Sequence, residues 1–193
     1  MTFTCPPIPG PILLLHPNIP KPLHGVNPRT ILGQLWWDKI RKEAYGRYFN
    51  LCAACGEGAE VRKYSPWLEA HEIYEIDYPK GRATYLKTEP LCRACHSFIH
   101  SGRLKMLEER GKISKKDCDD IMRRGNKLLD AVKLKKPKLY STLAPWSDWR
   151  LILEGKEYPP KFADYDAWEA FYFPHNTPST LNETFTFADI GDQ

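Results

Sequence analysis

An α+β fold is predicted, with a small cysteine-bound β–β–α module embedded between helices, a Pro-rich N-terminal arm and an aromatic C-terminal extension. Three observations predict it. Two Cys-x-x-C pairs, Cys52/Cys55 and Cys92/Cys95, bracket a segment of strand-like alternation. Helical spacing of apolar residues recurs on both sides of that segment. Prolines crowd the start of the chain and aromatic residues crowd its last third.

In chain order, residues 1–27 carry Pro6, Pro7, Pro9, Pro11, Pro17, Pro20 and Pro22, a density that disfavours helix and predicts an extended arm. Such an arm wraps its own domain or a partner subunit; His16 and His24 lie in it and receive no functional assignment from isolated position alone. A helical region follows over residues 28–49. Asn27 is its N-cap and Pro28 its first helical position. Ile31, Leu32, Leu35, Trp36, Ile40 and Ala44 form the expected core face, with Trp37, Lys39, Arg41, Lys42 and Arg47 turned away.

Residues 50–102 form the expected metal module. Within it, residues 61–63, 68–77 and 82–88 read as strands, the last two joined by a YPKGR turn. A short helix is expected over residues 93–100, stopped near Gly102. A basic helical segment occupies residues 103–138. In it Ser114 caps a longer helix, with Asp117 in the capping-box position and Ile121, Leu128, Leu129 and Val132 toward the core. Residues 139–174 read as a hairpin around Glu154-Gly155 and a short amphipathic helix, rich in Trp, Tyr and Phe. Residues 175–193 are polar, lack periodicity and read as a tail.

A thiolate pair separated by two residues turns its chain into a tight knuckle and presents both sulfurs to one ion. Two knuckles complete a four-cysteine tetrahedral zinc site (Cys52, Cys55, Cys92, Cys95), closed to substrate. His71, His96 and His100 lie outside that set. His96 and His100 are spaced i, i+4, which on a helix puts two imidazoles on one face, one turn apart. With His71 they make a second candidate ligand set. Cys5 and Cys118 are left over and read as free thiols. Cysteines arranged for metal point to a reducing, cytoplasmic compartment, and no run of about eighteen apolar residues marks a membrane span. The chain starts without a basic segment ahead of its apolar stretch, so it does not read as a secretory signal.

The order CxxC, then Ala70-His71-Glu72-Ile73, then LCxxCH and a final IH resembles the HNH endonuclease family over residues 50–102. More narrowly, it is similar to the zinc-stapled members of bacteria and phages. That resemblance implies a ββα-metal fold in which a hairpin and the following helix clasp one catalytic divalent ion. His71, His96 and His100 fall on the family's ligand positions, and Glu72 falls where the family carries the histidine that activates water. Lys87, Thr88 and Glu89 stand where the family places an asparagine that orients that base. Glu72 therefore either acts as the base, helped by a metal that lowers the pKa of water, or serves as a fourth ligand that leaves the site inert. The second divalent ion is Zn2+, Ni2+, Mn2+ or Mg2+, and three histidines with an open position suit zinc, nickel or another borderline ion better than magnesium.

The function this implies is hydrolysis of DNA phosphodiester bonds. The alternative is a catalytically inactive HNH-fold module that binds nucleic acid or a protein partner, and a purely structural finger is the plainest reading. Arg62, Lys63, Arg82, Lys87, Arg93 and Arg103 surround the module and are candidate phosphate contacts. Residues 103–138 hold thirteen basic against six acidic side chains, and residues 139–193 three against nine, within a total of +4. A basic helical block beside a metal finger fits DNA; the acidic aromatic third fits a protein partner better than base stacking. A membrane partner is not expected.

Overall fold

The computed structural model describes residues 7–135 and 143–173. The fold is mixed α+β, with one four-stranded sheet and five α-helices among the described residues. The described residues divide into two compact units. The first draws on residues 7–18, 38–73 and 88–135, the second on residues 19–37, 74–87 and 143–173.

Strands β1 (Leu68–Asp77) and β2 (Arg82–Cys92) make a hairpin around a turn that needs Gly81 at φ +66°. Burial along β1 is continuous from Ala70 to Tyr74, as it is where both faces of a strand are covered. Strand β2 runs to Cys92, four residues beyond the expected end, because Thr88 to Leu91 are buried and remain extended. The expected strand at residues 61–63 is absent; a 3₁₀ turn, Ala59–Val61, lies there instead.

In the first unit, α1 (Pro28–Arg47) contributes its second half. Gly33 has φ 85° and ψ 172°, so the helix is broken there and its phase is reset. This corrects the expected core face: Trp37 is 2% exposed, whereas Leu35 is 88% exposed. Ala44 and Tyr48 then continue the buried side. Helix α2 (Arg93–Ile99) follows β2 directly, with Cys92 as N-cap. It ends one residue earlier than expected. His100 is its C-cap, and α3 (Ser101–Glu109) begins at once, taking in Gly102.

Helix α4 (Lys115–Ala131) is capped as its sequence predicts, the Ser114 hydroxyl accepting from the Asp117 N–H at 3.1 Å, a contact of about 1 kcal/mol. Ile121 and Leu129 are buried, whereas Val132, at the C-cap, is exposed. Leu14, Leu91, Phe98, Ile99, Leu104, Ile121 and Leu129 make the core. At Gly125, α4 passes so close to α2 that an added Cβ would stand 2.1 Å from the Phe98 ring.

The described part of the arm is not simply extended. Pro11–Leu15 and Lys21–Leu23 form 3₁₀ turns, with proline in the first positions, where a missing N–H costs nothing. Leu14 is buried in the first core, and Gly10 donates its N–H to the Ala53 carbonyl at 2.8 Å.

In the second unit, β3 (Arg150–Leu153) pairs in parallel with β2, setting Arg82 against Arg150 and Thr84 against Ile152. Strand β4 (Lys156–Tyr158) returns antiparallel, and Glu154 and Gly155, both at positive φ, form the tight turn expected between them. Leu23, Tyr74, Ala83, Trp149 and Leu151 are the core of this unit. Helix α5 (Tyr165–Tyr172) is capped by Asp164 and buries Trp168. Residues 1–6, 136–142 and 174–193, which include Cys5 and the expected tail, lie outside the described residues.

Candidate metal centres

The first knuckle is closed by backbone. The Cys52 N–H donates to the Glu57 carbonyl at 3.1 Å and the Gly56 N–H to the Cys52 carbonyl at 2.8 Å. Gly56, at φ +77°, makes that reversal without strain. The second knuckle straddles the junction of β2 and α2. There the Cys92 N–H points at the Cys52 sulfur at 3.2 Å, and the Ala53 N–H donates to the Pro90 carbonyl at 2.7 Å. These contacts lock the two knuckles face to face. The ligand atoms of Cys52, Cys55, Cys92 and Cys95 all lie within 4.8 Å of one another, with Cys55 and Cys92 sulfurs 3.8 Å apart.

Four sulfurs this close cannot all ionise alone. Hydrogen bonds from Cys55, Cys92 and Cys95 pull the Cys52 thiol down, while the same sharing pushes Cys92 and Cys95 up. A divalent cation removes the conflict, because it accepts four thiolates at once. The four cysteines can therefore bind one metal ion, and zinc fits their number and type.

The histidine centre is assembled from more distant parts. His71 comes from β1, His96 from α2 and His100 from its C-cap, and their ring nitrogens lie within 4.8 Å of one another. The His100 N–H still reaches the His96 carbonyl at 3.1 Å, so the i, i+4 relation survives although the helix has ended. Ring centroids are 4.6 Å apart for His96 and His100, and 5.2 Å for each with His71. All three rings stand edge-on to one another, converging their nitrogens.

His71 and His96 are only 4% and 3% exposed. Burial, then the neighbouring His96, His100 and His16, hold the His71 pKa well below its ordinary value. The ring is therefore neutral near pH 7, the form that binds metal.

Two residues that the motif does not mark adjoin this centre. Glu69 accepts from His96 Nδ1 at 2.6 Å and from Arg93 at 3.3 Å. Burial pushes the Glu69 carboxyl up, but the His96 hydrogen bond and the charges of His96, Arg93 and Arg103 bring it below its ordinary value. A carboxylate on Nδ1 fixes the His96 tautomer and turns Nε2 toward the other two rings, the outer-sphere arrangement of metal-bound histidines. Alternation along β1 was the available signal, because Glu69 and His71 are two residues apart and share a face. The second residue is His16, whose Nδ1 lies 3.1 Å from His71 Nε2. No local pattern marks it.

Glu72 follows His71 in β1, where successive side chains point to opposite faces. It is buried, and its carboxylate is not among the donors clustered within 4.8 Å.

The candidate phosphate contacts fall into different settings. Arg62 turns its guanidinium inward, donating to the carbonyls of Glu57, Pro66 and Asn50. Lys63 pairs with Asp120 at 2.7 Å and Asp117 at 3.7 Å. Arg93 is held by Glu69, and Arg103 is near enough to act on the same carboxylate. Arg82 and Lys87 belong to the second unit, with Arg82 paired to Glu157. A cleft of about 400 Å³ collects Arg62, Lys63, Arg93, Arg123, Arg124 and Lys127, against Glu57 and Asp120. Three of these cations, Arg123, Arg124 and Lys127, come from α4 and were visible in sequence only as a charge run.

Comparison with known proteins finds no matching family, no matching curated protein and no matching solved structure. Among the described residues no helix is long and apolar enough to cross a membrane.

Proposed function

We propose that this chain is an HNH-like nuclease, a ββα-metal finger stapled by zinc at the four cysteines, which hydrolyses DNA phosphodiester bonds at the histidine centre. The observation that carries the reading is His71, His96 and His100 converging within 4.8 Å on a strand and a helix terminus, with Glu69 orienting His96. A divalent ion held there would supply Lewis-acid charge to the scissile phosphate and lower the pKa of water beside it. His71, His96 and His100 would hold that ion, and Glu69, bonded to His96 Nδ1, orients the His96 ring. Arg93 bonds Glu69 and also lines the basic cleft, so the same cation joins the centre to a surface fit for phosphates. Zn2+ and Ni2+ suit three imidazoles better than Mg2+ or Mn2+.

The test is cleavage of plasmid DNA by purified protein in buffers containing each of those four ions. Cleavage by the wild type that is lost in His100→Ala supports the reading; absence of cleavage by the wild type, or equal cleavage by the variant, sinks it. A second reading, a catalytically inactive module that binds nucleic acid or a protein, is favoured by one observation: Glu72, in the base position of the motif, stands outside the histidine cluster. It expects no cleavage under any ion, and DNA or partner binding that Glu72→Ala leaves unchanged.

A further inference from the structure

We propose that the basic cleft of the first unit, with the exposed rings of Trp67 and Phe49 beside it, binds an unpaired polynucleotide strand, phosphates in the cleft and bases on the rings. Arg62, Lys63, Arg93, Arg123, Arg124 and Lys127 line the cleft against only Glu57 and Asp120. Both carboxylates are already engaged: Asp120 accepts from Lys63 at 2.7 Å and from Arg123, and Glu57 pairs with Arg124 at 2.5 Å. The surplus charge is cationic, which is what a chain of phosphates requires.

Trp67 is 77% exposed and Phe49 54% exposed, in a chain that buries Trp37, Trp149 and Trp168. One guanidinium brings the two rings to the cleft. Arg62 donates through Nη1 to the Pro66 carbonyl at 2.5 Å and through Nη2 to the Asn50 carbonyl. The residues adjoining Trp67 and Phe49 are thereby stapled to a side chain of the cleft wall. Ser65, also in that wall, accepts the Trp67 N–H at 3.1 Å. Phe49 and Asn50 stand at φ 53° and 60°, a region that favours glycine, and they close the end of α1 by bonding Gly46 and Tyr45 carbonyls. An unfavourable backbone is thus kept where it carries an exposed phenyl ring. Ring faces stack on any base without reading its edge, and cations beside them follow the backbone. A duplex keeps its bases stacked inside and offers this surface phosphates alone, so the rings select the single strand.

This inference deepens the proposed function by naming the strand form, and it rests on the nucleic-acid half of that reading. The experiment measures binding and needs no cleavage. Full-length, zinc-loaded protein without an added second ion is titrated into labelled oligo(dT) and oligo(U) of about fifteen nucleotides and into a DNA duplex of equal length. A single strand is expected to bind more tightly than the duplex. Trp67→Ala, at the surface, is expected to weaken single-strand binding by about five- to 100-fold and leave duplex binding unchanged, whereas Trp67→Phe retains a stacking ring and most of the affinity. Lys127→Gln should weaken both forms and lower the salt slope by about 1. Preference for oligo(U) over oligo(dT) would support the strand form and contradict DNA as the substrate. Duplex bound as tightly as either single strand, or single-strand binding unchanged in Trp67→Ala, would overturn the inference, while plasmid cleavage that depends on His100 would still uphold the nuclease.

Discussion

The cysteine cluster draws its donors from one short turn and from the junction of β2 with α2, and is held by backbone N–H groups, from Cys52 to Glu57, Gly56 to Cys52 and Cys92 to the Cys52 sulfur. The histidine cluster takes its donors from a strand, a helix and that helix's cap, and is held by side chains, Glu69 above all. Both lie in the same compact unit. The contrast teaches that each half of one site is written into local sequence, whereas no two elements of the other meet until tertiary packing has formed. A site of the first kind resists single changes around it, whereas the second is sensitive to each element that positions a ring.

The strongest way to break the comparison is to remove the sulfur site. Cys95→Ser should abolish cooperative folding of the first unit, since a structural zinc contributes on the order of 10 kcal/mol; loss of bound zinc with collapse of near-ultraviolet dichroism would be the signature. A folded, zinc-free variant would show that the cysteines are dispensable.

Next in size is Gly125→Ala, which drives a methyl into the Phe98 ring where α4 crosses α2. Overpacking of this kind costs about 1–3 kcal/mol, against a helix-propensity gain of about 1 kcal/mol. The urea midpoint should therefore fall with little change in slope. An unchanged midpoint would mean that α2, and with it His96, has room to shift.

Glu69→Gln sharpens the contrast directly. It should weaken Co2+ or Zn2+ binding at the histidine centre by about 10–100-fold and leave the cysteine-bound zinc untouched. Calorimetric titration of the zinc-loaded protein separates the two; equal loss at both sites would erase the distinction.

The smallest effect belongs to a histidine of the second unit. His24 accepts the indole N–H of Trp168 at Nδ1, 3.1 Å away, so the proton of its neutral ring sits on Nε2, which faces the Ile19 carbonyl at 3.3 Å. Burial lowers its pKa below 6.5, opposed by the Ile19 bond and assisted by the charge of Lys21. A depressed histidine pKa means that the unfolded chain takes up the proton first. The stability contribution is thus present above about pH 6.5 and is lost as pH falls toward the folded value. Thermal unfolding followed by tryptophan fluorescence should show an acid-side decline that is diminished in His24→Gln.

Much of the framework was legible because its determinants are local. The knuckles, the hairpin turn at Gly81, the Ser114 cap and the turn at Glu154-Gly155 are each specified by a few adjacent residues. The triad of His71, His96 and His100 was legible through spacing, although His100 proved to cap the helix. What escaped detection was set at long range. Gly33 reset the phase of α1 and exchanged Leu35 for Trp37 in the core, an outcome that periodicity read across the break cannot anticipate. The parallel pairing of β2 with β3 joins segments far apart in sequence. His16 reaches His71 on an arm anchored by the buried Leu14, and the cleft cations Arg123, Arg124 and Lys127 are brought together by the way α4 packs. Glu69 was within reach of strand alternation and was overlooked because the motif directs attention to the residues at 71 and 72.

Cys92 is at once the last residue of β2 and the N-cap of α2. An ion on that sulfur would fix the angle at which the helix leaves the strand, and that angle decides where His96 and His100 end up. Occupancy of the sulfur cluster would then precede competence of the imidazoles. Withholding zinc from the cysteines would then weaken any ion binding at the imidazoles without any change to the histidines themselves.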